Sequence, residues 1–398
     1  MTRNDFRTPD GDIENESFIT EEWLVDQWIG DQLWGWGIND SNQLGINAPG
    51  GRTTPVTTFA GGANWKQISA CYDFAAAIKT DGTLWTWGSN IAGELGTNDT
   101  VYRSTPVTTF AGGTNWKSVS CGFDHISAIK TDGSLWTWGG GTSGSLGTNN
   151  TTDISTPVTT FAGGNDWKQV SSGNGYTSAI KTDGTLWTWG YNFYGQLGTN
   201  NTTTRSTPVT TSAGGNNWKQ VSAGGVHVGA IKTDGTLWMW GANDSGCLGN
   251  FLPNSGTCSS PTTTIAGGND WKQINCSMNK TVGKTAAIKT DGTLWYWGYS
   301  YYGESGAGQG SGYYFRLSSP VTTQVGGNNW KQVAAGTRAI KKDGTLWVWG
   351  DGRFGASGTN VSFSSSSPRT TFLGGNNWKQ VVDNGNHTVF GVTTGPDY

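Results

Sequence analysis

Charge is scarce in this sequence, and so are histidine, methionine and long apolar runs. Only 13% of the 398 residues are Asp, Glu, Lys or Arg, and the formal net charge is −3. Without a basic excess there is little to hold a phosphate backbone, so nucleic acid is not an expected partner. No stretch approaches the roughly 18 consecutive apolar residues of a spanning helix. The opening residues MTRNDFRTPDGDIENESF lack both the basic start and the apolar core of a secretory signal. No membrane insertion is expected, and the location is cytoplasmic unless the chain belongs to a virion. GxSxG, a Walker loop, HExxH and CxxC are all missing, so no enzyme activity, catalytic residue, cofactor or metal is expected. The three histidines, His125, His227 and His387, read as turn-stabilising residues, not a metal set. Five cysteines, Cys71, Cys121, Cys247, Cys258 and Cys276, are an odd number with no framework spacing. Thiols are the default, and one bridge stays open between Cys247 and Cys258, which flank CLGNFLPNSGTC.

What the chain has in abundance is glycine, 63 residues, and tryptophan, 23. The tryptophans are periodic. LWxWG begins at Leu33, Leu84, Leu135, Leu186, Leu237, Leu294 and Leu346. Trp-Lys recurs from Trp65 to Trp378, and a proline after Ser or Thr from Pro55 to Pro368, seven times each. Only Trp23 and Trp28 stand outside the repeat. A period of about 50 residues marks a repeat architecture and overrides a domain count based on length.

Within a unit the runs TPVTTF, NWKSVSC, HISAIK and SLWTWG have the alternation and β-branched content of strands. Asp-Gly between the last two, as at Asp81-Gly82 and Asp132-Gly133, predicts a tight hairpin with two positive-φ residues. The first LWxWG has no hairpin partner ahead of it, and the last unit stops after VFGVT at 389–393. The two ends complete each other. The expected fold is all-β: a seven-bladed β-propeller of four-stranded blades, closed by an N-terminal strand completing the last blade, with a short N-terminal helical arm. Residues 1–31 form the arm, 32–394 the propeller and 395–398 a C-terminal tail. Both faces of a blade are covered by neighbours, so the LWxWG tryptophans read as core and not as ligand-stacking or light-absorbing groups. Lysines after Trp, such as Lys66 and Lys117, read as snorkelling at strand edges, with a charged partner-binding ring as the alternative.

The order W-G-x-N-x-x-G-x-L-G, P-V, W-x-x-V, G-x-x-H and A-I-K-x-D-G-x-L-W-x-W-G resembles the repeat of the RCC1 (regulator of chromosome condensation) family. WGSNIAGELG at 87–96, WGYNFYGQLG at 189–198 and WGANDSGCLG at 240–249 carry the likeness. Copies six and seven depart from it with YGESG at 302–306 and FGASG at 354–358. The resemblance implies a seven-bladed propeller, in a family whose members include a GTPase exchange factor, an ultraviolet sensor and a β-lactamase inhibitor. The basic tail of the first and the clustered arginines of the second are missing here.

In SFITEEWLVDQWIG, Thr20 is placed to cap a short helix whose apolar residues are Ile19, Trp23, Leu24, Val25, Trp28 and Ile29. This arm either covers its own propeller or docks on another subunit. The uniform polar repeats resemble phage virion proteins, so the leading expectation is a structural component of a larger assembly such as a tail, fibre or decoration. It would dock by the arm and present loops, with host-surface or glycan contact. The alternative is a soluble regulatory module holding a protein partner on one face. The Tyr299, Tyr301, Tyr302, Tyr313 and Tyr314 loop is the candidate recognition surface, because tyrosine gives contact area at low entropy cost.

Overall fold

The computed structural model describes residues 30–59, 62–250, 256–279, 281–307, 315–323, 326–334, 337–383 and 387–395. Seven antiparallel four-stranded sheets follow one another. Blade 1 runs outward from the axis as Trp65–Cys71, Phe74–Lys79, Leu84–Gly88 and Arg103–Thr108. Blades 2 to 6 repeat this from inner strands beginning at Trp116, Trp167, Trp218, Trp271 and Trp330. Blade 7 takes Trp378–Asp383 and Thr388–Thr393 from the C-terminal end and Gln32–Gly37 and Arg52–Thr57 from the N-terminal end. The sealing register runs from Gln32 opposite Thr393 to Gly37 opposite Thr388. Closure therefore leaves the ring no unpaired blade edge at its seam.

The proline strand TPVTT belongs to the blade of the preceding LWxWG, where Trp85 pairs with Thr108 and Thr86 with Val107. It is the outermost strand, the one place where a residue without an N–H costs no ladder bond. The hairpin turn also differs from its expected form. Only Gly82 has positive φ, +82°, and its N–H reaches the Lys79 carbonyl at 3.0 Å. This is a three-residue loop with glycine in the left-handed position. Asp81 Oδ1 then accepts from Thr83 N (2.8 Å) and Oγ1 (2.7 Å), and Trp85 Nε1 donates to Thr83 Oγ1 at 2.9 Å. Those bonds hold the Asp81 carboxyl below its ordinary pKa, and its counterparts Asp132, Asp183, Asp234, Asp291 and Asp343 are lowered in the same way.

Each blade interface is filled by the second tryptophan of LWxWG. Its indole N–H donates to a loop carbonyl of the preceding blade in all seven cases, as in Trp87 to Gln43 at 2.7 Å and Trp138 to Glu94 at 2.8 Å. The loop glycine Gly96 lies flat on Trp138, where an added Cβ would meet Nε1 at 2.8 Å. This explains W-G-x-N-x-x-G-x-L-G. Asn90 Oδ1 accepts from Leu95 N at 2.8 Å and folds the loop, Leu95 is buried, and the last glycine seats the next tryptophan. The first tryptophan, half-buried, packs edge-on against the Trp-Lys ring, as Trp85 does on Trp65 at 6.4 Å. Lys79 covers both rings at 4.8 and 4.9 Å, and five other second-strand lysines do the same in blades 2 to 6. Blade 7 has no such lysine, and Trp34 Nε1 donates to Thr393 Oγ1 instead.

Inner strands are tied by side chains. Gln67 gives Nε2 to Val119 O (3.1 Å) and takes Val119 N (3.3 Å); Gln169, Gln332 and Gln380 bridge their own neighbours in this way. Among the described residues no helix is long and apolar enough to cross a membrane.

Candidate interaction site

The two faces of the disc differ. The turn face carries the Asp-Gly turns and the exposed lysines after each inner-strand tryptophan. The opposite loop face is lined in blades 1 to 4 by aromatic side chains, each opposite the glycine that ends LWxWG: Phe74, His125, Tyr176 and His227. These residues fasten blades together. His125 Nε2 lies 2.8 Å from Thr177 Oγ1, His227 Nε2 lies 2.9 Å from Thr285 Oγ1, and Tyr176 donates to Gly224 O at 2.8 Å. Burial pushes the His227 pKa down to about 4. The role of His125 and His227 is thus between blades and not within a turn. His387 falls outside the series, because Thr388 is the residue that faces Gly37.

In blades 5 to 7 the loop face opens into a cleft of about 240 Å³, lined among others by Lys284, Tyr302, Glu304, Arg338, Asp351 and Arg353. Lys284 stands at the histidine position, opposite Gly298. Its Nζ lies 3.3 Å from Oε1 of Glu304, a side chain that is 1% exposed. Glu304 also accepts from Tyr302 N at 2.7 Å, the loop bond that Gln196 makes to Tyr194. Arg338 replaces the small residues Ala76, Ser127, Ser178, Gly229 and Ala286 of the second strands of blades 1 to 5. Its Nη1 pairs with Asp383 Oδ2 at 2.6 Å and its Nη2 donates to Ala356 O at 2.8 Å. Both charged side chains are buried, 4% and 7% exposed.

Nearer the mouth Arg353 forks onto Asp351, with Nη2 to Oδ2 at 2.6 Å and Nε to Oδ1 at 3.0 Å. Burial opposes the Asp351 charge, but the Arg353 hydrogen bonds and His387 outweigh it, and the carboxyl sits below its usual pKa. The pairing raises Arg353 in turn. Burial lowers the His387 pKa against the pull of Asp351 and Asp383. The Arg353 guanidinium stacks on Tyr302 at 4.2 Å. Phe354, 59% exposed, lies 5.3 Å from the His387 ring. Its φ is +57°, a conformation that suits Asn42 in the first loop and is an outlier for a bulky ring.

Of the expected recognition residues, Tyr299 and Tyr302 line this cleft, and Tyr301 packs edge-on against Tyr302 at 4.7 Å. Tyr313 and Tyr314 lie outside the described residues, as do Ile19, Trp23, Leu24, Val25, Trp28 and Ile29 of the arm. Lys284, Glu304, Arg338, Asp351, Arg353 and Asp383 were not singled out from sequence. The available signal was the breakdown of the repeat itself: Ser305 and Ser357 in place of Leu, and the shortened AAGTRAIKK. No disulfide joins any of the five cysteines; Cys247 Sγ bonds Ala242 O and Cys258 Sγ bonds Ser260 O.

Comparison with known proteins decides the family. Residues 29–338 match the family model described as the RCC1-like domain. The chain belongs to the RCC1-like family. It is 31% identical over 300 residues to the ultraviolet-B receptor UVR8 of Arabidopsis thaliana, covering 73% of this chain and 66% of the receptor. It is 27% identical over 342 residues to the E3 ubiquitin-protein ligase HERC2 of Homo sapiens, covering 82% of this chain but only 7% of the ligase. The chain thus spans less than two thirds of these relatives, and in HERC2 only a small part. The RCC1-like fold is shared with human WBSCR16 (TM-score 0.76, 18% identity, 92% of this chain and 99% of that one). Yeast RCC1 (Prp20), solved bound to Kap60, gives a TM-score of 0.77 at 17% identity, covering 100% and 97%.

Proposed function

We infer that this RCC1-like propeller is a non-enzymatic interaction module that holds a protein partner on its loop face, over blades 5 to 7. The observation that carries this reading is the exposed Phe354, held at positive φ beside Arg353, which is itself locked on Asp351 and stacked on Tyr302. Arginine and aromatic side chains fixed by their own neighbours are the composition of interface anchors, because little side-chain entropy remains to be lost on binding. Neutralised pairs at the cleft floor suit a polar protein surface better than a strongly charged ligand. Protein partners are also named for family relatives: Kap60 on yeast RCC1, and Gsp1p and histones for Prp20p. Assembly into a virion through the arm has no comparable observation behind it among the described residues.

The test is capture of partners by the tagged full chain from its native source, compared with a Phe354→Ala/Arg353→Ala variant. A specific partner should be lost at least tenfold by a variant that remains folded by circular dichroism. Equal recovery on both proteins would move the interface elsewhere.

A further inference from the structure

Six of the seven lysines that follow the inner-strand tryptophans have no ion pair among the described residues. Lys66, Lys331 and Lys379 line the turn-face mouth of the central channel with Gln67, Gln332 and Gln380. The repeat puts Lys117, Lys168, Lys219 and Lys272 at the same position in the remaining blades, all exposed. The turn aspartates share this face, yet each sits beside its own second-strand lysine, as Asp81 does beside Lys79, and Asp166 and Asp270 pair with Lys181 and Lys289. The inner ring is therefore left with a single acidic partner, Asp31, which contacts Lys379.

Asp31 is where the chain enters the propeller, its carbonyl accepting from Trp65 N at 3.1 Å. Residues 1–29 ahead of it hold eight of the 28 acidic and two of the 25 basic residues, a charge of −6, which leaves +3 on residues 30–398. So the most acidic segment of the chain starts from the rim of its most concentrated unpaired positive charge. A second feature favours the same side. Phe372, Phe59, Phe110 and Phe161 are 60–67% exposed after the outermost strands of blades 6, 7, 1 and 2, the four blades around the entry point. Extended, 29 residues reach up to about 95 Å.

We propose that residues 1–29 lie across the turn face of their own propeller, their carboxylates over the lysine ring and their apolar residues toward the phenylalanine arc. Lys66 and its counterparts are then an intramolecular docking ring, and the loop face stays open for a partner.

Carbodiimide cross-linking of the full chain, read by mass spectrometry on a mixture of ¹⁴N- and ¹⁵N-labelled protein, tests this. The expected result is isotopically pure links from Asp10, Asp12, Glu14 or Glu16 to ring lysines, reduced at least fivefold in 0.5 M salt, where the Debye length falls to a few ångströms. Mixed-isotope links would put a second copy in that place, and links to Lys284 would put the arm on the other face; either overturns the proposal. The second measurement is acetylation of Lys66, Lys331 and Lys379 in the full chain and in an Asp10→Asn/Asp12→Asn/Glu14→Gln/Glu16→Gln variant, whose changes lie outside the folded ring. Labelling should rise severalfold in the variant with Lys342 unchanged, and equal rates would overturn the proposal.

Discussion

Blades 1 to 4 and blades 5 to 7 use the same scaffold and differ on one face. In the first set the loop-face positions hold Phe74, packed in an apolar cluster, and His125, Tyr176 and His227, each bonded to the next blade. In the second the corresponding region holds the pairs Lys284–Glu304, Arg338–Asp383 and Arg353–Asp351 around a cleft. The tryptophan-to-loop bond is unaffected: Trp349 reaches Glu304 O at 2.9 Å, as Trp189 reaches Ser145 O at 2.8 Å. The lesson is a division of labour within one repeat. The indole and its loop carbonyl build the ring, and the residues at the loop-face end of the second strand can change to ions without disturbing it.

The sharpest break in this comparison is at Arg338. Arg338→Met removes the buried guanidinium that pairs with Asp383 and should cost about 3–5 kcal/mol in urea unfolding. The same register in blade 2, Ser127→Ala, should cost under about 1 kcal/mol.

Next in size is the pH response of blades 1 to 4. The folded pKa of His227, about 4, is below the ordinary 6.5, so the unfolded chain binds the extra proton. The stability it contributes is full above about pH 6.5 and is lost as pH falls toward 4, by about 3 kcal/mol. Urea midpoints at pH 7, 5.5 and 4 should show this, and His227→Gln should flatten the slope. A further loss below about pH 4 comes from the turn aspartates, whose lowered pKa makes their contribution fade as they protonate.

Trp189→Phe and Trp349→Phe should each cost about 2 kcal/mol, from lost ring volume and an orphaned loop carbonyl. Equal losses by calorimetry would show that ring building is the same in both sets; a much smaller loss at Trp349 would undo the comparison. The smallest effect is that of the lysine over two indoles. Lys232→Met should cost about 1 kcal/mol or less, and blade 7, where Thr393 replaces that lysine, shows that the arrangement is dispensable.

Repeat length, blade number and closure were legible because they follow from spacing: seven LWxWG copies and two half-units of opposite kind leave one way to pair Gln32–Gly37. The phase of the blade was not, since TPVTT is equally strand-like whether it pairs forward or back, and only the sheet assigns it to the preceding tryptophans. The Asp-Gly turn was recognised but misassigned, because that dipeptide suits both a two-residue turn and the three-residue loop that forms here. The cleft was the least legible part. Arg338 and Asp383 are 45 residues apart and unremarkable in sequence, as are Arg353 and Tyr302. Their departure from the repeat showed that something had changed without showing what met what.

By itself the sequence determined a ring of seven β blades with tryptophan cores, because side-chain alternation and a fixed period are local properties that any neighbour in the repeat must respect. The tertiary structure decided which blade edges face one another, which lysine covers which indole, and that the irregular repeats meet in one cleft. Those are contacts between residues about 50 apart or at opposite ends of the chain, and only closure of the ring brings them together.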